Sequence, residues 1–279
     1  MVTKTKSLKT PLRYPGGKSR AITKMSQFFP DMKEYTHFRE PFLGGGSVAL
    51  WVTKQFPNVL IWVNDLYEPL YNFWSQLQQH GHWIEHTLKI LKTDHPNPTH
   101  ARRLFEESKK YVSDKDVDPV WRAVYFYVVN KCSFSGLTES SSFSAQASES
   151  NFSMNGIIKL SEYSKLIETW KITNYSYEEL LKGNGSFVYL DPPYEISSHL
   201  YGKKGSMHKF FDHDQFAKHC ENCKQDLLVS YNSSQLIRDR FSGWKACIYD
   251  HTYTMRSTTT YTKAQKDRKE LVLFKYDLN

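Results

Sequence analysis

The chain has 279 residues, 39% of them hydrophobic, enough for a full core in one or two domains without a disulfide or metal staple. Its formal net charge of +8 and pI near 9.1 favour a polyanionic partner, because Lys and Arg displace counterions from phosphates; a charge that only keeps the chain soluble is the alternative. No apolar run reaches membrane-spanning length, and the basic residues Lys4, Lys6, Lys9 and Arg13 lead into no apolar segment, which argues against secretion and membrane insertion.

In chain order, the first apolar strand is expected over 36–39 and ends at Glu40. Phe42-x-Gly44-x-Gly46 follows, ahead of a helix expected over 47–54. Glycines there let the backbone turn sharply and approach a ligand, while the helix N-terminus offers free N–H groups. The spacing is not that of the dinucleotide fingerprint G-x-G-x-x-G. A strand over 59–63 ends in Asn64-Asp65, where Asp65 is placed to accept hydrogen bonds from a ribose diol. Together these features point to a nucleoside-containing cofactor; a plain turn, with Asp65 as a helix cap, stays open on these residues alone.

A helix is expected over 66–79. From 81 to 166 the pattern changes to helical stretches at 83–92, 99–112 and 119–130, then a Ser-rich segment over 133–153 that reads as a loop, with no strand. This stretch is a mainly helical insertion into an α/β domain. Cys132, Cys220, Cys223 and Cys247 fit reduced thiols, and His219-Cys220-x-x-Cys223 lacks the second ligand pair of a zinc site, so no metal is expected.

The strand over 187–190 ends at Asp191-Pro192-Pro193-Tyr194. Two prolines exclude helix and central strand and leave a rigid ledge rich in acceptors. A nucleobase exocyclic amine is a poor nucleophile because its lone pair is delocalised into the ring. Asp191 and the Pro192 carbonyl can accept its two hydrogens and localise that pair toward a methyl donor, while Tyr194 offers a face for stacking. A base within a duplex cannot reach such a pocket without being flipped out. Glu40, Asp65 and Asp191 all follow strands, so they can converge at the carboxyl edge of one sheet.

Beyond the ledge, the glycine-punctuated basic segment 197–209, with Lys203, Lys204 and Lys209, reads as a loop closing on phosphate, or as a solvated charge run. A helix over 211–223 opens with Asp212 as N-cap. Strands are expected over 226–231, 245–249 and 270–276, the last preceded by a basic segment with Arg256 that can meet a duplex backbone or form an exposed hairpin loop. The alternation of strands and helices argues for a parallel α/β sheet.

Leu12-Arg13-Tyr14-Pro15-Gly16-Gly17-Lys18, then Glu40-Pro41-Phe42-Leu43-Gly44-Gly45-Gly46-Ser47, then Asn64-Asp65, then Asp191-Pro192-Pro193-Tyr194 together resemble the Dam-type α-group of DNA adenine-N6 methyltransferases. The stretch from Arg122-Ala123-Val124 through Asn130-Lys131 to Phe134-Ser135-Gly136-Leu137 is similar as well. The resemblance implies a Rossmann-like sheet of about seven mostly parallel strands, the S-adenosylmethionine-dependent methyltransferase fold, with one antiparallel strand. It also implies a catalytic and cofactor-binding domain over 1–71 and 166–279 and a helical target-recognition domain over 72–165.

The residues implied for the S-adenosylmethionine site are Tyr14, Lys18, Glu40, Phe42, Gly44, Gly46, Asp65, Tyr177 and Asp191, and those implied for catalysis are Asp191, Pro192, Pro193 and Tyr194. The partner implied is double-stranded DNA, with no obligate protein partner, in the cytosol of a bacterium or phage-infected cell. Lys203, Lys204, Lys209, Lys131 and Arg256 are candidate DNA contacts; so are Arg122 and Asn130, for which a buried structural role weighs equally. The sequence departs from the pattern in two places. Ser176-Tyr177 replaces an acidic-aromatic pair beside the cofactor adenine, and Asn151-Phe152-Ser153-Met154-Asn155-Gly156 replaces an Asn-Val-Pro-Phe-Gly-like segment, which leaves the target sequence open. Cytosine-N4 methylation, separable by nucleoside analysis, and a catalytically silent DNA-binding protein, separable by cofactor calorimetry, are the competing readings.

Overall fold

The computed structural model describes residues 10–134, 141–194, 211–250 and 269–278. Seven strands form one sheet: β1 His37–Glu40, β2 Leu60–Asn64, β3 Lys171–Thr173, β4 Ser186–Leu190, β5 Asp226–Asn232, β6 Lys245–Asp250 and β7 Lys269–Phe274. Their order is β3-β2-β1-β4-β5-β7-β6. The first five run parallel, and β7 is antiparallel to both β5 and β6. This is the sheet expected from the sequence, with one addition. β3 has only three residues, one of them aliphatic, too short to carry a periodic signal; side chains hold it in place, with Trp62 Nε1 donating to Thr173 Oγ1 at 3.0 Å and Thr173 Oγ1 to Asn64 Oδ1 at 2.9 Å.

Strand β4 is buried along its whole length because it is central and covered on both faces. Phe187 and Tyr189 join one apolar cluster, and Val188 and Leu190 join the cluster on the opposite face, as the two-residue period of a strand requires. From β1 the chain runs outward to β2 and β3, then returns to β4 on the other side of β1. The sheet therefore switches direction between β1 and β4, and in such sheets the crevice outside the strand carboxyl ends at the switch is where ligands bind.

Among the described residues, the helices of more than four residues are α1 Ser47–Gln55, α2 Glu68–Asp94, α3 Pro98–Tyr111, α4 Pro119–Cys132, α5 Ala145–Ser150, α6 Leu160–Leu166, α7 His213–Asn222 and α8 Gln235–Arg240. The two helices expected over 66–79 and 83–92 form α2, which breaks at His80 (φ −128°, ψ 25°). Gly81 follows the break because α6 crosses there: a Cβ at Gly81 would lie 2.3 Å from Ser164 Cβ. Asn97, Asp118 and Asp212 cap α3, α4 and α7 with their side chains, and Pro98 and Pro119 occupy first-turn positions where no N–H is missed.

One expectation is corrected: 145–150 is helix rather than loop. Ser144 Oγ accepts from Ala147 N–H, so a serine that read as loop composition acts as an N-cap. The described residues between β2 and β3 are mainly helical, but they share a core with the sheet, since Trp74, Phe126 and Tyr127 join the same cluster as Phe38 and Phe187. Residue 72 falls inside α2.

Candidate active site

The turn after β1 is built on two left-handed glycines, Gly44 (φ 50°) and Gly46 (φ 69°), the latter serving as N-cap of α1. A Cβ at Gly46 would lie 2.7 Å from the Trp74 ring, and one at Gly44 would lie 2.9 Å from the Tyr14 ring. Only glycine satisfies both the conformation and the space. Asp65 braces this turn from the end of β2: Gly44 N–H donates to Oδ2 at 2.9 Å and Tyr67 N–H to Oδ1 at 3.0 Å. Burial pushes the Asp65 carboxyl up to about 6 against those two bonds. Glu40 lies under α1 and accepts the Ala49 N–H at 2.8 Å, a carboxylate at the positive end of the helix. Burial drives its pKa well above the carboxylate range, and the charges of Asp191 and Asp65 add to that.

Tyr14-Pro15-Gly16-Gly17 is a tight turn, with Gly17 N–H donating to Tyr14 carbonyl at 3.1 Å. Gly16 has φ 75°, the geometry of a type II turn with Pro at its second position. It delivers Lys18, only 3% exposed, into the crevice between β1 and β4. Lys18 Nζ donates to Asp191 Oδ1 at 2.9 Å and Oδ2 at 2.8 Å, and to Tyr194 Oη at 2.8 Å. Burial opposes the Lys18 charge, yet Asp191 and Glu270 outweigh it and hold its pKa well above the ordinary value. Burial likewise pushes the Asp191 carboxyl up while Lys18 and Tyr194 pull it down. Tyr194 is half-buried; its hydroxyl donates to Glu270 Oε2 at 2.7 Å and Lys18 Nζ lies 5.0 Å from its ring centroid.

Phe42 stacks on Tyr177 at 5.4 Å between ring centroids, and Phe211 and Phe216 close the group edge-on. Tyr177 Oη is 2.9 Å from His219 Nδ1, and Ser176 Oγ donates to Glu178. Asn64 joins three segments at once: it donates to the Pro41 and Tyr175 carbonyls and accepts from Tyr175 N–H.

A model of the D12 class N6 adenine-specific DNA methyltransferases matches residues 14–255. The chain belongs to this family.

The Type II methyltransferase M.CviBI of Paramecium bursaria Chlorella virus NC1A is 21% identical over 256 residues, covering 89% of this chain and 92% of its own. M1.LlaDCHI of Lactococcus lactis subsp. cremoris is 25% identical over 258 residues, with 83% and 84% covered. M.MjaIII of Methanocaldococcus jannaschii is 24% identical over 198 residues, with 66% and 68% covered. As a D12 methyltransferase the chain acts on DNA and methylates N6 of adenine, which decides between the two amine substrates that the Asp-Pro-Pro-Tyr motif allows.

Within this D12 methyltransferase the crevice brings Lys18, Asp191, Pro192 and Tyr194 together, with Glu40 and Asp65 behind the glycine turn. Two expectations are corrected in the insertion. Arg122 is buried and its Nη1 donates to both Glu68 carboxylate oxygens at 2.9 Å. Asn130 is fully buried and grips the backbone of Arg13, accepting its N–H at 2.9 Å and donating to its carbonyl at 2.7 Å. Both take structural roles because α4 faces the core on nearly every side. Lys131 is 8% exposed, over the Tyr127 ring. Lys203, Lys204, Lys209 and Arg256 lie outside the described residues. Glu270 and Ser230 were not anticipated; an acidic residue at the head of an apolar strand was their one signal.

Among the described residues no helix is long and apolar enough to cross a membrane, and no group of three or more His, Cys, Asp or Glu side chains could hold a metal ion.

Proposed function

We propose that the chain uses S-adenosylmethionine to methylate a flipped adenine in double-stranded DNA, with Asp191 and the Pro192 carbonyl accepting the hydrogens of N6. The observation that carries the reading is Asp191 at the end of β4, at the switch point, charge-paired with a buried Lys18. When bound, the cofactor supplies a methyl group on a cationic sulfonium. The surroundings fit it: acidic groups at the strand ends suit a cation, and the turn of Gly44 and Gly46 brings backbone rather than side chains to the carboxyl edge of β1. Tyr14, Lys18, Glu40, Phe42, Gly44, Gly46, Asp65, Tyr177 and Asp191 would form that site. Since Asp65 and Glu40 are committed to backbone N–H groups, they shape the site at least as much as they contact the ligand.

An ionised carboxylate has about four acceptor positions. Lys18 takes two at Asp191 and leaves others for the amine, while its charge pulls the carboxyl pKa down against the burial that raises it. As N6 accepts the methyl group, whose bond to the sulfonium sulfur would break with its electron pair left on sulfur, the amine becomes cationic and gives up a proton, which Asp191 takes; the N–H electron pair returns to the amine. Tyr194, pinned by its hydroxyl, keeps a ring face for the flipped base. Target recognition falls to 72–165, with Lys203, Lys204, Lys209 and Arg256 as phosphate contacts. Transfer of labelled methyl from S-adenosylmethionine to duplex DNA tests this, with N6-methyladenine the expected product. Asp191→Ala abolishes transfer; a variant that still methylates would remove Asp191 from the mechanism.

A further inference from the structure

Glu270 opens the apolar run of β7, opposite Asn232 of β5 and Tyr249 of β6, and is 1% exposed. A carboxylate there carries a desolvation penalty that an aliphatic residue would not, and it persists only with strong partners. Those partners belong to the crevice: Tyr194 Oη donates to Glu270 Oε2 at 2.7 Å, Ser230 Oγ lies at 3.4 Å and Lys18 Nζ at 3.9 Å. Lys18 Nζ has three hydrogens but four hydrogen-bond acceptors, both Asp191 oxygens, Tyr194 Oη and the Gly16 carbonyl at 3.1 Å. The ammonium is therefore shared, in contact with one carboxylate and near a second.

We propose that Glu270 is a positioning residue for methyl transfer: it fixes the Tyr194 ring through the hydroxyl and takes up the charge of Lys18 when the target amine engages Asp191. The proposal rests on the reading of Asp191 as amine acceptor. The amine binds the same carboxylate oxygens and so weakens their hold on Lys18, and without a second anion every step of Lys18 away from Asp191 would leave a buried cation unpaired. Glu270 provides that anion 3.9 Å from Lys18 Nζ, on a strand whose backbone is held by ladders to both neighbours. The same bond fixes the plane of the Tyr194 ring on which the base stacks.

The test uses the full chain, S-adenosylmethionine and a duplex containing the adenine that the wild-type protein methylates. Glu270→Gln keeps an acceptor for Tyr194 but removes the charge. Its single-turnover rate falls by about ten-fold or more, while cofactor and duplex dissociation constants stay within about three-fold. Lys18, Asp191, Tyr189, Tyr194 and Tyr249 share the pocket with Glu270. Removing one negative charge among them eases ionisation of Asp191, so the acid limb of the rate profile moves to lower pH. Tyr194→Phe, which keeps the ring and the Glu270 charge but breaks the link, slows the same step. A Glu270→Gln rate within about two-fold of wild type with an unmoved profile overturns the proposal. If Glu270→Gln does not fold, Tyr194→Phe at wild-type rate overturns it alone. Transfer surviving in Asp191→Ala instead sinks the parent reading, so the two failures are distinguishable.

Discussion

Lys131 is a charge held where burial works against it. Over the Tyr127 ring, its amine is pushed down to about 8 by burial, with Arg13 adding like-charge repulsion. The folded pKa lies below the unfolded one. The penalty is therefore full below about pH 8 and fades as pH rises toward about 10.5, where the amine is neutral in both states. Lys131→Met should raise stability to urea by about 1 to 3 kcal/mol at pH 7, and the gain should shrink by pH 10. A variant no more stable than wild type at pH 7 would show that the buried amine is uncharged or better solvated than its surroundings imply. Weaker duplex binding by the same variant would explain why a lysine is kept. At this scale the contiguous Asp191-Pro192-Pro193-Tyr194 and the two glycine turns were legible, because chemistry and local geometry coincide in a few adjacent residues. Glu270 and the grip of Asn130 on Arg13 were not: each is a single side chain whose meaning depends on a partner far along the chain, 76 and 117 positions away, and on registers that no local pattern specifies.

At the scale of elements, α4 is the strap of the site. Its Asn130 holds the Arg13 backbone from both sides, and the Arg13 guanidinium donates to the Ser133 carbonyl at 2.6 Å and the Phe134 carbonyl at 3.1 Å. The turn that delivers Lys18 is thus anchored to the helical insertion rather than to the sheet. Asn130→Ala leaves two buried backbone groups unpaired, at about 1 to 3 kcal/mol of stability. It should speed hydrogen exchange at the Arg13 amide and raise the KM for S-adenosylmethionine more than it lowers kcat. Unchanged exchange would mean another partner takes over the clamp. Six of the seven strands and the helical insertion were readable from apolar runs and their acidic ends. β3 was not, being held by Asn64 and Trp62 rather than by its own pattern, and α5 was hidden because Ser144 resembles loop composition until its capping bond is seen.

The whole molecule joins a basic chain to a polyanion, so duplex affinity should fall steeply with salt. If Lys203 and Lys204 meet phosphates, changing both to Ala should reduce the log–log salt slope by roughly 2, measured by fluorescence anisotropy over a salt series. An unchanged slope would take both lysines out of the interface.

The topology also sets when catalysis becomes possible during synthesis. β7 inserts between β5 and β6, and it carries Glu270 to a crevice whose lysine lies far upstream at position 18. A nascent chain holding every earlier strand still has an open seam in its sheet and lacks the second anion beside Lys18. A message truncated before β7 should therefore yield a protein with strongly reduced methyl transfer, which a labelled-methyl assay on the truncated chain checks.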